Sequence, residues 1–261
     1  VGQLPNTSEF VADLARSIGF LSRLPVPDRF FKGQEGSISR AVRAFPAAGL
    51  AIAAIPALVL FLFAPGDALT ASLIALALLA LLTGALHEDG LADAADGLGG
   101  GRDKEHALVI MKDSRIGSYG VIALILSFGL RASALAVLSR YEPAAGALAV
   151  LAVAAVSRAL MVAHRHALPS AREAGVAASA GLPGTAARNV ALFSGAVLAF
   201  VLLVPLLALP KVLLSLIVAG ALCFGFTRYV RGKLEGHTGD TIGASQQLCE
   251  IGMLATLALV L

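Results

Sequence analysis

The chain has 261 residues, of which 57% are hydrophobic and only 14% charged, with a mean hydropathy of +0.84, which excludes an ordinary soluble domain and places it in a lipid bilayer. A net charge of +3 is too small to argue for a nucleic-acid partner, and with no Trp the interfacial anchoring falls to Tyr, Phe and basic residues. Cys223 and Cys249 lack CxxC or other metal spacing and read as small buried apolar residues.

From the start of the chain, Phe10, Leu14, Ile18 and Leu21 recur at helical spacing beside Asp13, Arg16 and Arg23, which predicts an amphipathic helix ending before Pro25 and Pro27. Such a helix suits the membrane surface or the flank of a bundle. No leader pattern precedes it, so the chain is expected to insert through its own spans.

Seven stretches then approach the roughly 20 apolar residues that a bilayer core requires: 45–63, 68–86, 117–138, 143–162, 189–209, 211–227 and 242–261. Alternate connections hold 16 of the 20 Lys and Arg residues, the opposite side holds two, and Arg131 and Arg158 fall inside spans. The positive-inside rule puts the N-terminus and every long polar connection in the cytoplasm. The expected fold is therefore all-α: one polytopic helical bundle over 1–261, with residues 1–44 a cytoplasmic N-terminal segment and 87–116 an acidic cytoplasmic loop.

That loop carries the chemistry. Asp89, Asp93 and Asp96 are spaced i, i+4, i+7 and share one face if helical. Their mutual repulsion calls for a hard cation, and Mg²⁺ takes one or two carboxylates together with waters and phosphate oxygens. His87 is a weak candidate for general base. The glycine run from Gly97 to Gly101, including Gly99 and Gly100, would let backbone N–H groups approach phosphate, although it matches no P-loop. Arg102, Lys112 and Arg115 supply phosphate-binding charge, with Asp113 between the last two. A metal site beside phosphate clamps points to phosphoryl transfer.

Further along, His164, Arg165, His166, Arg172 and Glu173 lie in one connection, where the two histidines read as solvated rather than as zinc ligands. Asp240 sits between glycines in GHTGDTIGA before the last stretch and is placed to join the acidic loop. Glu250 lies inside that stretch, where burial demands a partner, and Arg131 and Arg158 are the candidates.

The block LTGALHEDGLADAADGLGGGRDKEHALVIMKDSRIGSYGV, with LSRLPVP near the start and GHTGDTIGA near the end, resembles the cobalamin synthase (adenosylcobinamide-GDP ribazoletransferase) family over most of the chain, and SAREAGV resembles a less distinctive family stretch. The resemblance implies a multi-pass enzyme of the bacterial inner membrane, its active site facing the cytoplasm, that transfers a substituted phosphate group with Mg²⁺. It would join adenosylcobinamide-GDP to α-ribazole or its 5′-phosphate, giving adenosylcobalamin or its 5′-phosphate and GMP. By the same resemblance Asp89, Asp93 and Asp96 hold Mg²⁺ against the diphosphate, and Lys112 and Arg115 stabilise phosphate charge. Arg102 is a weaker candidate for that role, and Asp113 and Asp240 complete the metal site or orient the hydroxyl. Two positions depart from the family's habit: Glu88 replaces a commonly apolar residue and Ala85 a common glycine. Self-association and contact with other enzymes acting on corrinoids stay open, as do the base accepted and the role of Asn6.

Two rival readings compete. Asp93, Asp96 and Gly97 form the DxxDG that begins the motif of membrane CDP-alcohol phosphotransferases, but the Ala-Arg pair and the later Asp pair are missing. A transporter would place Arg131, Arg158 and Glu250 along a pathway near the bilayer midplane, whereas the polar cluster lies at one face.

Overall fold

The computed structural model describes residues 7–31, 38–172 and 180–261, and every regular element of length among them is a helix. In chain order these are α1 (Thr7–Leu21), α2 (Phe45–Phe63), α3 (Ala68–Thr83), α4 (Leu86–Gly100), α5 (Lys104–Ile110), α6 (Ser118–Tyr141), α7 (Pro143–Ala167), α8 (Thr185–Leu203), α9 (Leu209–Leu234) and α10 (Gly239–Leu259). Short 3₁₀ turns cover Asp28–Phe30 and Ala41–Ala44.

Five segments are long and apolar enough to cross a membrane: Ala41–Phe63, Ser118–Tyr141, Pro143–Ala167, Thr185–Leu203 and Leu209–Leu234. The expectation of seven fails at two places. The stretch 68–86 stops at Thr83, because Gly84 (φ 64°) and Ala85 (φ 56°) both adopt the left-handed conformation and α4 leaves at 90° to α3. Only α3 and α4 taken together, as one bent segment, would make a sixth crossing. The stretch 242–261 is helical in α10, but its polar content leaves it short of the apolarity of a span, and it buries Gln246, Gln247 and Glu250 in the protein interior.

The Ala-rich α7 lies at the centre, with nearly its whole length buried. Small side chains let its neighbours come close: a Cβ at Gly49 of α2 would collide with the Ala154 carbonyl. Outward-facing Ile122, Ile125 and Leu126 on α6, Phe193 and Val201 on α8, and Ile217 and Phe224 on α9 are exposed, as a lipid-facing surface requires. Cys223 and Cys249 are free and buried, as their surroundings imply. On α1 the buried face is Asp13, Ser17 and Leu21, while Phe10 and Val11 are exposed. The buried Asp13 carboxylate pairs with Arg43 at 2.7 Å, Arg16 at 3.2 Å and Arg40 at 3.5 Å, joining α1 to the start of the first span.

Connections from one end of the bundle are tied to each other. Ile38 N–H donates to the Ala180 carbonyl (3.2 Å), and the His237 backbone exchanges two 2.8 Å hydrogen bonds with Pro169 and Ala171. Arg231 donates to the Ala167 carbonyl (2.9 Å), and Lys104 pairs with Glu235 (2.8 Å). The helix ends nearest these ties are the starts of α2, α8 and α10 and the ends of α7 and α9.

Candidate active site

The acidic segment is largely helix, which corrects the expectation of a loop over 87–116. All three aspartates lie on α4, on one stripe that runs from exposed Asp89 through half-buried Asp93 to buried Asp96. The glycine run belongs to the end of the same helix. A Cβ at Gly97 would strike Met111 and one at Gly99 would meet the Tyr119 ring at 3.0 Å, so these glycines admit neighbours to close packing. Gly99 and Gly100 are exposed but helical, and they form no phosphate-cradling loop.

Asp96 has backbone partners. Its Oδ2 accepts the Gly117 N–H at 2.7 Å and its Oδ1 the Gly120 N–H at 2.9 Å, so the carboxylate caps the otherwise unsatisfied start of α6. A Cβ on Gly120 would stand 2.5 Å from Asp96 Oδ2, and one on Gly117 would overlap Oδ1. The i+7 aspartate is thus fixed by α6, while Asp89 and Asp93 accept no hydrogen bond of this kind.

The fourth carboxylate arrives with α10. Gly90 and Gly243 let α4 and α10 cross at backbone distance: a Cβ at Gly90 would lie 2.9 Å from the Asp240 carbonyl, and one at Gly243 would lie 3.3 Å from the His87 Cα. Thr238 and Thr241 form a capping box that starts α10, and Asp240 occupies its first turn, where the helix dipole favours a carboxylate. Arg172 reaches in from the connection after α7, 3.4 Å from Asp240 Oδ2 and 3.4 Å from the Leu108 carbonyl. The contact with Asp240 is an ion pair without hydrogen-bond geometry, since Oδ2 has no hydrogen-bond partner.

Four carboxylates against one arginine leave the cluster electrostatically strained. Burial pushes Asp93 up to about 6, with the charges of Asp89, Asp240 and Asp96 adding and Arg172 opposing. Burial raises Asp240 as well, against Arg172 and a hydrogen bond from Thr238. A cation would relieve both.

Arg172 is the residue that sequence reading passed over; its signal was the family-like SAREAGV, of which Glu173 to Val176 lie outside the described residues, as does Asn6. The expected phosphate clamps stand elsewhere. Arg115 is exposed and grips Asp113 with both ends of its guanidinium, at 2.6 to 3.2 Å, which holds the Asp113 carboxyl down at about 2. Lys112 and Arg102 are exposed too.

Of the two histidines expected to be solvated, His164 is not, and His166 is only half-buried. His164 is fully buried between Thr227 (2.8 Å) and Thr241 (3.2 Å), and His166 donates to the Pro183 carbonyl at 2.7 Å. His237 is fully buried with neither ring nitrogen hydrogen-bonded, and burial draws its pKa down to about 4.

Behind α4 lies a buried polar network. Glu250 accepts from Arg131 (3.0 Å), Ser157 (3.3 Å) and Gln246, and stands 3.8 Å from Arg158. Glu88 accepts from Gln247 (3.0 Å) and lies 3.5 Å from Arg131. Two acids and two arginines balance, so the pairing expected of Glu250 is present and includes Glu88.

Between α1, α2, α4, α7 and α10, next to Asp89 and Asp240, is a mostly apolar cavity of about 260 Å³.

Residues 13–258 match the family described as cobalamin-5-phosphate synthase. Among curated proteins, the chain is 54% identical to the adenosylcobinamide-GDP ribazoletransferase of Rhizobium etli, over 97% of this chain and 98% of that one. It is 55% identical to the protein of the same description from Rhizobium meliloti (95% and 97% covered) and 40% identical to that from Brucella anthropi (97% and 99% covered). No solved structure matches the chain.

Proposed function

The chain belongs to the cobalamin-5-phosphate synthase family, and we propose that it joins adenosylcobinamide-GDP to α-ribazole or its 5′-phosphate in an Mg²⁺-dependent phosphoryl transfer at the cytoplasmic face of the bacterial inner membrane. It is an enzyme of cobalamin synthesis. The observation that carries the finer reading is the convergence of Asp89, Asp93 and Asp240 at the α4–α10 crossing, with Arg172 the cation beside them.

The donor set fits a magnesium ion that depends on its substrate. Among the described residues no three Asp, Glu, His or Cys side chains stand close enough to enclose a metal. Mg²⁺ characteristically takes only one or two carboxylates and completes its shell with water and phosphate oxygens. Asp89 and Asp93 would hold it, Asp96 being held by the α6 backbone. Bound there, it neutralises charge on the diphosphate.

In the reaction the ribose 3′-oxygen bonds to the phosphorus nearest the aminopropanol arm. The bond from that phosphorus to the bridging oxygen breaks, and GMP leaves with the electron pair. Asp240, whose Oδ2 lacks a hydrogen bond and whose proton affinity is raised, orients the attacking hydroxyl and takes its proton. Arg172 neutralises charge beside it, and Lys112, Arg115 and, more weakly, Arg102 bind the nucleotide phosphates as they enter. Asp113 pairs with Arg115 at the surface.

The distribution of basic residues supports a cytoplasmic site. A transport pathway gains nothing from Arg131, Arg158 and Glu250, which neutralise one another inside the bundle. The deciding experiment uses purified protein in lipid with both substrates, with and without Mg²⁺, resolving GMP and corrinoid product by chromatography. Metal-dependent appearance of both products is expected; their absence from folded protein would overturn the assignment.

A further inference from the structure

The cavity beside the carboxylates has a composition that selects its occupant. Phe20 of α1 and Phe45 of α2 stack at 6.2 Å and an interplanar angle of 23°, and both line it. Met161 and Val162 of α7 and Ile242 of α10 complete the apolar wall. His87 and Arg165 also line it. Asp89 and Asp240 form the polar edge.

At about 260 Å³ the space lies below the roughly 300–1,000 Å³ of pockets that enclose whole drug-sized ligands, so it admits one ring system and neither a corrin nor a dinucleotide. Guanine would bring several donors and acceptors against a wall that is mostly apolar, whose polar side chains are His87, Arg165 and the two carboxylates of the edge, leaving several of them unpaired. A benzimidazole is flat and apolar with a single free ring nitrogen.

We infer that this cavity is the subsite for the aromatic base of the nucleoside acceptor, which stacks against the phenylalanine wall with its ribose at the Asp89–Asp240 edge. The inference rests on the reaction proposed above and adds to it a reason for the direction of attack: a base seated at this depth delivers its sugar hydroxyls to the carboxylates.

The test is steady-state kinetics on the full chain in lipid nanodiscs, varying each substrate separately, for wild type and for Ile242→Phe, which fills the chamber. The KM for α-ribazole should rise about tenfold or more, the scale on which an apolar pocket rejects excess bulk. The KM for adenosylcobinamide-GDP should stay within about twofold, and a riboside carrying a single-ring imidazole should lose less than α-ribazole does. Should Ile242→Phe not fold, as judged by its thermal transition, Val162→Leu gives the smaller intrusion. A rise confined to the adenosylcobinamide-GDP KM, or no change in either KM in folded variants, overturns the subsite while wild-type turnover stands. Absence of product from wild type overturns the reaction and the subsite together.

Discussion

Arg131 of α6 donates to Glu250 of α10 across 3.0 Å while its other terminal nitrogen lies 3.5 Å from Glu88 of α4, so one buried guanidinium joins three helices. Removing it leaves two acids facing Arg158 alone. Arg131→Met should cost about 3–5 kcal/mol, the penalty of an unpaired buried charge. Arg131→Met combined with Glu250→Gln leaves one acid and one base and should recover part of the loss. A double-mutant cycle read from thermal transitions checks this; additive losses would mean that the pairing is not energetically coupled.

Asp93 and Asp96 should part company on replacement. Asp93→Ala removes a proposed metal ligand that caps nothing, so GMP release should vanish with no fall in the thermal transition of the metal-free protein. Asp96→Ala uncaps α6 and should cost about 1–2 kcal/mol in stability as well as activity. Near-normal GMP release by Asp93→Ala would sink the metal assignment.

The pH dependence follows from Asp93. Its folded pKa of about 6 lies above the ordinary value near 3.8, so between those values the folded state binds more protons and stability falls as pH rises. In metal-free protein Asp93→Asn should therefore raise the melting temperature at pH 7.5 and leave it unchanged below pH 4. Mg²⁺ should stabilise wild type, and not Asp93→Asn, at pH 7.5, and the Mg²⁺ concentration needed for activity should climb below about pH 6 as protons compete. Melting curves with and without Mg²⁺ at three pH values measure all of this.

Ala85 holds φ 56° at the bend between α3 and α4. A left-handed non-glycine residue is disfavoured by about 1–2 kcal/mol, partly offset by the entropy that a glycine adds to the unfolded chain. Ala85→Gly should raise the melting temperature by about 2 °C without altering either KM; an unchanged or lowered transition would show that the bend imposes no strain.

How much of this was legible in the residues can be told position by position. The i, i+4, i+7 spacing placed Asp89, Asp93 and Asp96 on one stripe, because that pattern depends only on helical periodicity. Glu250 announced a buried partner through its apolar surroundings, and Arg131 and Arg158 were in reach by the same reasoning. The bend at Gly84–Ala85 was hidden because an alanine gives no sign of a left-handed conformation. The glycines of 97–101 read as a loop, yet their helical state is set by Met111, Ala107 and Tyr119, which fold back against them. His164 looked solvated beside Arg165 and His166, and only Thr227 and Thr241, 63 and 77 residues away, show why it is buried. Arg172 and Asp240 meet across a comparable separation, which no local pattern encodes.

The reach of α10 also sets a timetable for biosynthesis. This helix begins at Gly239, yet it supplies Asp240 to the reaction centre and Glu250, Gln246 and Gln247 to the network around Arg131. While a ribosome is still extending the chain, Arg131 and Arg158 outnumber Glu88 inside the partly assembled bundle, and the charges balance only when α10 docks. An intermediate arrested before that moment would hold two arginines against a single acid, Glu88.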